Sequence, residues 1–244
     1  MKNHLLRRAF LTYLPCALLL AASPVASAQY WVSFDDNTRY MALGDSLSAG
    51  YGAVPTTQGF VFRLYQMRVI DKLNNMIFCA AAVPGAASSD VLKYQVPQVP
   101  LFFKDTGLPY RKVVTLTVGG NDLLTVIEKS ADPNLVVGSY AKNLGDILGT
   151  LTAKGDVQVY VGNLYDPKLP APGADLLIQA MNQVMVQVAA NFPSVVIVDV
   201  YSAFQGRSGL LLSERPGSAP DQIHPTDAGY AVMARAFADA IGGK

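Results

Sequence analysis

Residues 112–122, KVVTLTVGGND, decide the fold class. Val113, Val114, Thr115, Thr117 and Val118 are β-branched, and the run holds too little alternation for a strand with one wet face. Such a run belongs to a parallel strand covered on both sides. Gly119-Gly120 closes it, and the polar pair Asn121-Asp122 follows. Four further runs have strand length: 40–44 (YMALG), 76–81 (MIFCAA), 157–163 (VQVYVGN) and 195–200 (VVIVDV). The last is also rich in β-branched residues and predicts a second strand covered on both faces.

Helical patterns fill the gaps. After the first run comes GFVFRLYQMRVIDKL, whose Phe62, Tyr65, Val69 and Leu73 recur at helical spacing as one sheet-facing stripe. SSDVLKYQV follows the second run. SYAKNLGDILGTLTAKG precedes the fourth, and ADLLIQAMNQVMVQVAANF the fifth. TDAGYAVMARAFADAIGG closes the chain, with Thr226 as its N-cap. Strand and helix alternate throughout, which predicts a three-layer α/β/α sandwich around a mostly parallel sheet.

Composition agrees with one such domain. The chain has 244 residues, 51% of them hydrophobic and 15% charged. The net charge is +1, and no basic block argues for nucleic acid as a partner. Residues 1–28 have a different character. Lys2, Arg7 and Arg8 precede an apolar stretch, LTYLPCALLLAA, and then Ala26-Ser27-Ala28. That order is a secretory signal peptide, and the apolar run is shorter than the ~20 residues a membrane-spanning helix needs. Cleavage after Ala28 leaves one domain, residues 29–244, with 16 basic and 18 acidic side chains and no stable membrane anchor. Arg7-Arg8 also fits a twin-arginine signal. The expected destination is the periplasm or the medium. Beyond residue 28 a single cysteine remains, Cys79, in an apolar run, so an inert buried thiol is expected.

Open parallel sheets bind ligands beyond the carboxyl ends of their strands. Four polar turns fall there: Gly44-Asp45-Ser46, Val83-Pro84-Gly85-Ala86, Gly119-Gly120-Asn121-Asp122, and Asp221-Gln222-Ile223-His224-Pro225 before the last helix. His224 is the only histidine beyond the leader and sits in a polar, proline-flanked loop. It suits a general base, because imidazole titrates near neutrality. Asp221, three residues earlier, can turn onto its Nδ1–H. Asp227 suits the first turn of the following helix instead. Ser46 is either a nucleophile activated by such a base or a helix cap. The Ser46 N–H, the Gly85 N–H and the Asn121 amide are candidate donors to an oxyanion. No G-x-S-x-G elbow, phosphate-binding loop or H-E-x-x-H zinc motif is present.

Four blocks in order, GDSLSAGYG, VPGAASSDVL, VGGND and DQIHPTDAGY, resemble those of the GDSL, or SGNH, hydrolases. The resemblance covers the chain from about Arg39 onward. It implies a flavodoxin-like fold with a five-stranded parallel sheet ordered 2-1-3-4-5. It also implies a Ser46–His224–Asp221 mechanism with Ser46, Gly85 and Asn121 as the oxyanion hole, and no metal or cofactor. Cys79-Ala80-Ala81-Ala82 departs from it, since many members have an asparagine at the end of the second strand. The function implied is an exported esterase or lipase acting on a small-molecule or lipid ester. A carbohydrate O-deacetylase and a non-catalytic binding protein on the same fold are the alternatives. The apolar segments 100–103 (PLFF) and 209–212 (GLLL) could line an acyl site or serve as core. Gly50-Tyr51-Gly52 matches the first block without an evident chemical step.

Overall fold

The computed structural model describes residues 38–72, 76–105, 109–214 and 223–242. Residues 1–28, expected from sequence to be a signal peptide, lie outside them. Elements follow in the order β1 (Thr38–Gly44), α1 (Phe60–Gln66), β2 (Ile77–Ala80), α2 (Ser88–Asp90), α3 (Val99–Phe102), β3 (Arg111–Thr117), α4 (Gly120–Lys129), α5 (Pro133–Thr152), β4 (Val157–Gly162), α6 (Ala174–Ala189), β5 (Val195–Val198), α7 (Val200–Phe204) and α8 (Asp227–Gly242). The five strands pair in parallel in the order β2-β1-β3-β4-β5. The expected α/β/α architecture and strand order are therefore present.

Alternation along the strands sends side chains into two layers. Tyr40 and Ala42 of β1 face a cluster built with Phe60 and Leu64 of α1 and Tyr230, Met233 and Phe237 of α8. Met41 and Leu43 face the opposite cluster, with Leu144, Ile147 and Leu148 of α5 and Ile178, Met181 and Met185 of α6. Each fully buried Leu, Phe or Met in these layers contributes about 1.5–3 kcal/mol. Phe60 stacks on Phe237 at 4.7 Å between ring centres and joins α1 to α8. Cys79 is buried, as its apolar run implies. No helix among the described residues is long and apolar enough to cross a membrane.

Three elements differ from their sequence patterns. α1 ends at Gln66 and buries Phe60, Val61 and Leu64. Phe62, Tyr65 and Val69 of the expected stripe pack against the same layer from its side, Phe62 and Tyr65 on Phe78 of the edge strand β2, while Leu73 lies outside the described residues. The backbone at Arg68 turns left-handed (φ 57°), which breaks the longer helical stripe. β5 stops at Val198 and forms the other edge of the sheet, so Val195–Ile197 are only half-buried. Its apolar run continues into α7 rather than a longer strand. Finally, the stretch 88–102 is helical but segmented, with a π turn at Val91–Gln95 and a 3₁₀ turn at Val96–Gln98 between α2 and α3. Pro97 and Pro100 remove backbone donors there.

Candidate active site

The strand order reverses between β1 and β3, and the crevice at their carboxyl ends is where ligands bind in such sheets. Gly44, the last residue of β1, pairs with Thr117, the last of β3. The two strands come so close that a Cβ at Gly44 would stand 2.1 Å from the Thr117 carbonyl oxygen, and φ is +127° there. Only glycine fits. Buried Gln95 brackets the same residue: Gly44 N–H donates to its Oε1, and its Nε2 donates to the Gly44 carbonyl, both at 2.7 Å.

Asp45 then sets the turn. Its Oδ1 accepts from the Leu47 N–H at 3.0 Å and from the Thr117 hydroxyl at 2.7 Å. The Ser48 hydroxyl in turn donates to Thr117 at 2.8 Å. Asp45 is fully enclosed, and burial pushes its carboxyl up to about 6, against the pull of the Thr117 and Leu47 bonds. The nearby Asp122 charge pushes the same way. Ser46 sits on this turn with 9% of its surface exposed.

The loop before α8 brings His224 to it. Leu212 N–H donates to the His224 carbonyl at 2.9 Å, and Thr226 N–H donates to the Leu210 carbonyl at 2.8 Å. The Thr226 hydroxyl donates to the Gly209 carbonyl and accepts from the Gly229 N–H, so Thr226 caps α8 as expected. The Tyr165 hydroxyl donates to the Ile223 carbonyl. His224 is thus held on both sides, and its Nε2 lies 2.7 Å from Ser46 Oγ across 178 residues of sequence. Asp227 opens α8 and accepts from the Val54 N–H, away from the imidazole partner role. Asp221 lies outside the described residues.

Block three ties to block two through side chains. Asn121 Nδ2 donates to the Ala86 carbonyl at 3.0 Å. A primary amide has two N–H groups, so the second remains for a ligand. Asp122 accepts from both the N–H and the hydroxyl of Ser88, at 2.9 and 2.6 Å. Gly85 lies between these anchors in an exposed turn with φ +84°. The helix α4 starts inside the motif, at Gly120, so Asn121 stands on its first turn; from sequence it reads as a plain turn.

Ser46, Asn121 and His224 share the wall of an open cleft of about 530 Å³, part of it solvent. Its other walls are apolar: Leu123 and Leu124 of α4, Leu164, Pro167 and Leu169 after β4, and Ile223. The two apolar segments named from sequence are not among the lining residues. Phe102 and Phe103 pack on the α5 layer, while Leu101 points to solvent. Leu210 and Leu211 are core, and their backbone clamps the His224 loop. Gln95, Thr117 and Ser48 also support the site and were missed from sequence. Thr117 offered a signal, as a polar residue at the end of an apolar strand.

Residues 42–232 match the GDSL-like lipase/acylhydrolase family. The chain belongs to that family. It is a carboxylic ester hydrolase of the GDSL type, which removes the non-catalytic alternative. It is 30% identical over 207 residues to the spore germination lipase LipC of Bacillus licheniformis, covering 80% of this chain and 92% of that protein. The lipase Lip_vut3 from a goat rumen metagenome superposes with a TM-score of 0.66 at 27% identity, covering 84% of this chain and 98% of that one. A variant of the acetyl xylan esterase Axe2 from Geobacillus stearothermophilus superposes with a TM-score of 0.63 at 18% identity, covering 85% and 95%, a likeness of fold alone.

Proposed function

We propose that this GDSL hydrolase is an exported serine esterase that cleaves esters of apolar acyl chains through an acyl-enzyme on Ser46. The single observation that carries the reading is the Ser46–His224 pair, 2.7 Å apart, on the wall of a cleft lined by Leu123, Leu124, Leu164 and Leu169. A serine hydroxyl becomes nucleophilic only beside a base. With its proton on Nδ1, His224 accepts the Ser46 proton at Nε2 as Oγ bonds to the ester carbonyl carbon. The carbonyl oxygen takes up the negative charge, and the Ser46 N–H, Gly85 N–H and Asn121 amide are the proposed donors to it. His224 then gives the proton to the leaving alcohol. Water, deprotonated by His224, attacks the acyl-enzyme and releases the acid. Asp221 is the proposed partner of His224 Nδ1–H, from its position three residues ahead.

The apolar cleft favours an acyl chain over an acetyl group, which would leave those leucines in contact with water. The likeness to LipC and Lip_vut3, both named as lipases, supports the same direction. The test is a series of nitrophenyl esters from acetate to decanoate beside an acetylated xylo-oligosaccharide. A kcat/KM that rises beyond acetate is expected. Preference for the acetylated sugar would move the assignment to a deacetylase. Residues 1–28 are proposed as the export signal, so the mature protein recovered outside the cytoplasm should begin at Gln29.

A further inference from the structure

Gly50-Tyr51-Gly52 has no part in the steps above, yet its backbone is held firmly. Tyr51 N–H donates to the Ser46 carbonyl at 2.9 Å, and the Tyr51 carbonyl accepts from the buried Tyr230 hydroxyl at 2.6 Å. At Gly52, where φ is +82°, a Cβ would stand 2.8 Å from Leu212 Cδ1 and 3.7 Å from His224 Cβ, so the chain runs directly along the histidine loop. The Tyr51 ring lies against the imidazole with centres 4.5 Å apart and planes tilted by 46°. Even so, 52% of Tyr51 is exposed. A large aromatic ring is pinned beside the base and left half open.

The four substituents of a tetrahedral ester carbon say what that open face is for. One is Ser46 Oγ. The acyl carbon takes the cleft formed by α4, residues 164–169 and Ile223, whose lining does not include Tyr51. The oxyanion takes the donors of the Gly85 and Asn121 blocks. The fourth, the leaving oxygen, must face His224 Nε2 to be protonated, so the alcohol departs along the imidazole. The Tyr51 ring borders that imidazole. We infer that Tyr51 is the alcohol-side wall of the site and selects esters whose leaving alcohol presents a flat apolar face. This rests on the serine mechanism proposed above.

The test uses the full chain and two ester series: butyrates of ethanol, phenol and 2-naphthol, and nitrophenyl esters of acids of rising length. Stacking against one ring supports a change of about tenfold. Y51A should lower the ratio of kcat/KM for naphthyl over ethyl butyrate about tenfold, mostly through KM. Y51F should keep the ratio, because the ring face remains. The acyl-length profile should keep its shape in both variants. An equal loss on all alcohols in Y51A would make Tyr51 only a prop for His224 and overturn the inference, as would a changed acyl-length profile. Fluorophosphonate labelling of Ser46 in the wild type reports on the serine mechanism separately: absence of labelling refutes that mechanism, whatever the alcohol ratios.

Discussion

Replacing Asp45 with asparagine removes a carboxylate that the fold encloses completely beside Ser46. Burial raises this group from its ordinary 3.8 to about 6. The folded protein therefore holds the proton at pH values where the unfolded chain has lost it. The stability this preference contributes is fully present below pH 3.8 and is lost as pH rises through about 6. A shift of this size corresponds to about 3 kcal/mol at 1.36 kcal/mol per pH unit. The asparagine side chain cannot ionise, but its oxygen can still accept from the Leu47 N–H and the Thr117 hydroxyl. Urea unfolding of wild type and D45N at half-unit steps from pH 4 to 7.5 isolates the effect, because every other titrating group is shared. The stability of D45N relative to wild type should rise by about 2.4 kcal/mol across that window, the rest of the change lying below pH 4, and level off above pH 7. A constant offset from the amide is immaterial, since only the change with pH carries the prediction. A difference that stays flat, or moves the other way, would refute the claim that Asp45 is held against its charge.

Three further outcomes follow from the same geometry. Q95A leaves the buried Gly44 N–H without its acceptor, at a cost of about 1–3 kcal/mol, while the Gly44 carbonyl keeps the Val83 N–H, so its urea midpoint should fall below that of the wild type. G44A places a methyl carbon 2.1 Å from the Thr117 carbonyl and should show no cooperative thermal transition; a wild-type Tm would mean that the strands can part. L169W narrows the apolar cleft and should lower kcat/KM for octanoate relative to acetate by about tenfold, while an unchanged ratio removes Leu169 from the acyl wall.

The sheet was legible in the sequence because its central strands are buried on both faces and so carry long apolar runs. The same rule misread 195–200, because β-branched residues suit an edge strand as well as an inner one. Ser46 and His224 could be paired in advance because histidine is rare here and the strand-end blocks occur in order. The apolar wall of the cleft was not legible. Leu101, Leu123 and Leu211 are alike in composition, yet one faces solvent, one lines the cleft and one is core. Hydrophobicity gives no direction; only the helix start at Gly120 and the turn after β4 do. Gln95 was hidden for the opposite reason. A glutamine in a helical stretch suggests a wet face, and its buried bonds to Gly44 depend on a segment 51 residues away. Tyr51 was visible as a motif letter, but its meaning depends on the histidine loop that folds against it.

The central claim is that Ser46 is the nucleophile and His224 its base. Treating the purified protein with a fluorophosphonate and mapping the adduct by peptide mass spectrometry tests it most directly. One adduct is expected, on Ser46, formed much more slowly in H224A and absent from S46A together with ester hydrolysis. An adduct on another residue, or hydrolysis that survives in S46A, would contradict it.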